Sequence, residues 1–105
     1  MANGSVFDVK AAMSAFMPKD SYYSPTTSMS KSMNDGDMYL FFTQGGDTTL
    51  NNEHYGCMLI AVGRPNFIAV GTIFKGDLIT VTTNGMSIDI SAPTRLAMGY
   101  AKLAK

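Results

Sequence analysis

The single histidine, His54, stands three residues before the single cysteine, Cys57. These are the side-chain types of thiol nucleophiles, in which a base or a positive neighbour must hold the sulfur as thiolate. In an extended strand, positions three apart face opposite ways. The two would meet only across a bulge, and each is read as structural, Cys57 as a buried small hydrophobe. With one histidine, a histidine metal cluster is excluded. The run Asn34-Asp35-Gly36-Asp37 resembles the start of a calcium loop, but it lacks the alternating ligands and the later Glu of an EF-hand. It is read as a solvated turn, and neither a metal nor a cofactor is expected. Gly45-Gly46-Asp47-Thr48-Thr49 can offer backbone N–H groups to an anion, though no helix follows it. Gly45, Gly46, His54 and Tyr55 are therefore the weak candidates for a small-ligand site.

The elements that would position these groups sit in a neutral chain. The sequence has 105 residues, eight basic and eight acidic, with 15% charged and 46% hydrophobic residues. One domain is expected over 1–105. Lys31, Arg64, Lys75 and Arg95 are scattered, which argues against nucleic acid and against an anionic membrane. No apolar run approaches the ~20 residues that span a bilayer, and no leader is visible. With a lone thiol, the expectation is a soluble cytoplasmic protein. Near-zero net charge favours association.

Five runs read as strands: Asp37–Thr43, Tyr55–Val62, Phe67–Phe74, Asp77–Thr83 and Met86–Ile90. The first three are apolar at both odd and even positions, as in strands buried on both faces; the last two alternate apolar with Thr, Ser and Asp, as in strands with one wet face. Asn84-Gly85 marks a hairpin, and Gly63-Arg64-Pro65-Asn66 and Lys75-Gly76-Asp77 mark further turns. These short connections predict an antiparallel meander. Val6, Val9, Met13, Phe16 and Met17 predict an amphipathic helix over 5–17, ended by Pro18. Leu96, Tyr100 and Leu103 predict a second over 93–104, with Pro93 in its first turn. Between them lies a Ser/Thr-rich arm, 19–36, which Tyr22, Tyr23, Met29 and Met33 can pin down; in its stretch from Ser21 to Ser32 seven residues are Ser or Thr.

The expected fold is α+β: a five-stranded, mainly antiparallel sheet with N- and C-terminal helices packed on one face. That element order resembles profilin-like and roadblock-like folds in topology alone. Profilins bind proline-rich peptide through a Trp-containing surface, and this chain has no Trp. The apolar second face of the first three strands needs a cover, either the arm or another subunit. The expected function is therefore that of a small non-catalytic protein-binding or assembly protein, acting as a homo-oligomer or on a protein partner, of the kind found as phage or mobile-element accessory proteins. Its expected interface is Tyr22, Tyr23, Met29, Met33, Tyr39, Phe41 and Met58. The alternatives are a ligand binder or minor enzyme with a pocket between sheet and arm near His54, an immunity or inhibitor protein, and a profilin-like peptide binder.

Overall fold

The computed structural model describes residues 20–44 and 52–104. Six strands follow one another: β1 Ser21–Ser32, β2 Met38–Gln44, β3 Cys57–Arg64, β4 Phe67–Lys75, β5 Thr80–Asn84 and β6 Ser87–Ala104. One four-residue helix, α1 Asn52–Tyr55, precedes β3. All pairings are antiparallel, in the order β1-β6-β2-β3-β4, with β5 also on β6.

This architecture overturns the α+β expectation. The predicted helix over 93–104 is the second half of β6. A helix there would bury one stripe, whereas Leu96 and Met98 on one pleat face and Ala97 and Ala101 on the other are all buried. β6 achieves this by lying between β1 and β2, with Tyr100 opposite both Tyr22 and Phe41. The helix predicted over 5–17 lies outside the described residues. Most of the predicted arm is β1, an edge strand. Its hydroxyl-rich sequence suits a half-wet pleat, and an edge tolerates Pro25, which has no N–H to donate. The predicted meander stops after β4. Gly76 N–H donates to the Gly56 carbonyl (2.7 Å) and Leu78 N–H to the His54 carbonyl (3.1 Å), which carries the chain away from β4. β5 then pairs with β6 through a tight hairpin in which Asn84 faces Ser87. Gly85, φ 61°, takes the first loop position, where a type II′ turn places glycine.

The core forms because β6 turns a corner. Ala92, Pro93, Thr94 and Arg95 stand against the single residue Thr27 of β1. At that bulge the other edge of β6 passes from β5 to β2. Bulges and bends of this kind let one strand serve two packed layers. Ile79, Ile88 and Ile90 from the β5–β6 hairpin then share one cluster with Tyr39, Phe41, Cys57 and Leu59. The fold-over is tied where Met33 N–H donates to the Met86 carbonyl (2.8 Å) and where Gly36 N–H donates to the Gly63 carbonyl (2.8 Å). Gly63 must be glycine there, because a Cβ would lie 2.1 Å from the Asn34 carbonyl oxygen.

Candidate functional site

Two apolar surfaces result. On the outer pleat face, register aligns Tyr23, Gly99, Phe42, Met58 and Phe74 in one row across β1, β6, β2, β3 and β4. Phe42 lies over Gly99, where a Cβ would meet its ring at 2.6 Å, and Tyr23 stacks on Phe42 with centroids 5.9 Å apart. Met38, Leu40, Ile60 and Val62 flank this row, all half-buried. The second surface is β4 itself. Phe67 (55% exposed), Val70 (38%), Ile73 (60%) and Phe74 (43%) leave it apolar on both faces. Ile73 is the extra residue of a bulge against Met58 and Leu59.

On the inner face, polar groups concentrate beside the core. Lys31 Nζ lies 2.6 Å from Asp20 Oδ2 and over the rings of Tyr39 (5.3 Å) and Tyr100 (5.5 Å). The Tyr39 hydroxyl donates to the same Asp20 carboxylate. Burial pushes Tyr39 upward, and the bond to Asp20 adds to that shift. Burial also raises Asp20, but Lys31 and Tyr39 outweigh it and hold the carboxyl below its ordinary range. Asp37, itself buried, accepts the Asn34 N–H at 2.9 Å and faces Lys102 at 3.6 Å. The stretch that resembles a calcium loop is therefore a type II turn. Gly36 sits at φ 93° in its third position, and Asp37 N–H donates to the Asn34 carbonyl. Every charge in this cluster faces an opposite one, which makes it a brace between β1, β2 and β6. Among the described residues no three His, Cys, Asp or Glu side chains gather to hold a metal.

No family model, curated protein or solved structure matches the chain. The site is therefore argued from its residues alone. His54 on α1 faces Asp77, and the charged group that acts on Cys57 is Lys75. His54 Nδ1 lies 2.6 Å from Asp77 Oδ1, and that hydrogen bond raises the imidazole and lowers the carboxyl. Burial pushes the Cys57 thiol up to about 11, so it is a protonated core group at neutral pH. Tyr55 packs half-buried against the core, and its carbonyl accepts the Thr43 hydroxyl at 2.7 Å. Gly45 and Gly46 lie outside the described residues. No helix among the described residues is long and apolar enough to cross a membrane.

The sequence-predicted interface residues divide. Met29, Met33, Tyr39 and Phe41 are core residues, between 0% and 6% exposed. Tyr22 stacks on Tyr100 at 5.4 Å and packs against that core. The first four thus present almost no side-chain surface, while Tyr22 is half-buried. Tyr23 and Met58 do lie on the outer face, in its aromatic row. Sequence reasoning missed Val70, Ile73 and Leu78 as exposed groups. The one available clue was that Phe67–Phe74 contains no charged residue.

Proposed function

We propose that this chain is a small assembly protein that self-associates through the apolar outer surface of its sheet, without catalysing a reaction. The carrying observation is the exposure of Phe67, Ile73 and Phe74 at the margin of a half-buried apolar face. Single exposed hydrophobes are ordinary, but a contiguous apolar patch marks an interaction surface. The disposition of the polar groups supports the reading. Cys57 is a protonated core thiol, Asp20 and Asp37 face lysines, and His54 faces Asp77. The equal numbers of acidic and basic residues leave little charge repulsion between copies.

Light scattering on the full chain tests this. The expected mass exceeds the 11.3 kDa of one chain and falls on dilution. A mass of one chain at every concentration would remove the self-association.

A further inference from the structure

We infer that the contact between copies is made edge to edge. On this inference, which rests on the self-association proposed above, β4 pairs antiparallel with β4 of a second copy, and the sheet continues across a two-fold axis near Gly71. Among the described residues the margins of the sheet, at β1, β4 and the short Thr-rich β5, differ in what guards them. β1 carries Pro25, five serines and two threonines, and its pairing is interrupted between Thr26 and Ser28. Proline, polar side chains and irregularities are the usual means by which an edge strand avoids pairing with another molecule. β4 has no proline and no polar side chain along Phe67–Phe74 apart from Thr72, and its one irregularity, the bulge at Ile73, presents another apolar group. Its one charge, Lys75, is at the end and turned away, with Nζ donating to the Ile79 carbonyl at 2.9 Å. Among the described residues β4 pairs only with β3, so its other margin presents a row of N–H and C=O groups.

The occupant follows from the composition of β4. A strand apolar on both faces is matched by one of the same kind, and β4 supplies it. Gly71 is the midpoint of Phe67–Lys75, so an antiparallel copy centred there places the two Lys75 residues at opposite ends of the seam. Like charges are thus kept apart, and Phe67 and Phe74 of each copy approach the strand ends of the other. Phe67 and Phe74 together leave about one phenylalanine of surface in water, roughly 200 Å². Val70 and Ile73 leave nearly as much again. Two copies can bury at most about 700 Å² of this apolar area, to which backbone and rim add, so the contact lies at or below the lower limit of specific interfaces, ~1,200 Å². A dimer with a micromolar Kd is expected. Isologous two-fold pairing also closes on itself, because it uses up the apolar β4 margin of each chain and leaves the polar margins of β1 and β5.

The test is sedimentation of the full chain from about 5 µM to about 500 µM, a range spanning the expected Kd. Wild-type chain should pass from monomer to dimer. Ile73→Lys, at a position outside the core, should weaken dimerisation at least tenfold with unchanged circular dichroism. Gly71→Cys should form a covalent dimer under mild oxidation, because the two-fold axis brings the two positions together and a Cβ there meets nothing nearer than the Ile60 carbonyl oxygen at 4.0 Å. Thr82→Cys on β5 should not. If Ile73→Lys still dimerises while Met58→Asp does not, association runs through the broad face; the edge inference falls and the proposed function stands. A wild-type monomer throughout overturns both. Should Ile73→Lys fail to fold, the Gly71→Cys cross-link decides alone, and its failure to form overturns the inference.

Discussion

At the scale of the residue, the contact between His54 and Asp77 gives the fold a pH dependence. The pair joins α1 to the turn before β5, across 2.6 Å. His54 is raised from 6.5, first by its hydrogen bond to Asp77 and then by that charge. A raised histidine contributes stability that is fully present below the unfolded value and is lost as pH rises through the folded one. Asp77 is lowered from 3.8, mainly by His54, so its contribution is present above 3.8 and lost as pH falls through the lowered value. Both signs place the pair's full contribution between pH 3.8 and 6.5. Both side chains are largely exposed, so the effect on stability is small and the titration is the sensitive readout. Asp77→Asn should lower the His54 midpoint followed by NMR. An unchanged midpoint would show that Asp77 is not what raises the imidazole.

At the scale of the element, what could be read in the sequence depended on whether a strand is defined locally. β2, β3 and β4 could be read because both pleat faces are apolar over runs bounded by turn residues. The β5–β6 hairpin could be read because Gly85 has a local reason to be there. β6 was hidden. Leu96, Tyr100 and Leu103 fit a helical stripe, yet Met98 lies off that stripe and Gly99 would cost about 1 kcal/mol in a helix interior. A strand buried on both faces has no polar alternation to reveal it. β1 was hidden for the opposite reason. Its outward positions are hydroxyls, and Met29 and Met33, four apart, share a face in a strand as readily as in a helix. The brace of Asp20, Lys31, Tyr39 and Tyr100 unites residues from distant parts of the chain, so no local spacing announces it. The same corner geometry makes one small residue critical. Gly63→Ala would press a methyl group against the Asn34 carbonyl, which is backbone and part of a turn locked by Asp37. A loss of about 3 kcal/mol in denaturant unfolding is expected, at the upper end of overpacking costs. Gly71→Ala, where the nearest heavy atom is 4.0 Å away, should cost far less. Equal losses at the two positions would contradict the close approach assigned to Gly63.

At the scale of the whole molecule, the last strand holds the sheet together. β6 is the partner of β1 on one edge and of β5 and then β2 on the other. The pairing of Ser21 with Ala101 joins the two ends of the described chain. The β3–β4 and β5–β6 hairpins close over two-residue turns, whereas the innermost β1–β6 pair, Ser32 with Ser87, closes a loop of 54 residues, 27 times longer. By the logarithmic scaling of loop entropy that adds roughly 3 kcal/mol, and it must be met before the β1–β6 contacts form. Such non-local topologies fold in milliseconds to seconds rather than microseconds. Stopped-flow refolding followed by tyrosine fluorescence should therefore be slow, and the chain has no Trp to mask the signal. The equilibrium consequence is sharper. A chain ending at Arg95 keeps both hairpins but loses the strand that joins β1 to β2 and seats Leu96 and Met98 in the core. Its two remaining layers, β2-β3-β4 and β5-β6 with the second half of β1, then share no strand, and each exposes the apolar face that the corner had buried. Calorimetry of that shortened chain should show no cooperative melt. A sharp transition near that of the full chain would mean that β2, β3 and β4 fold without β6, and that the corner at Pro93 is not what unites the layers.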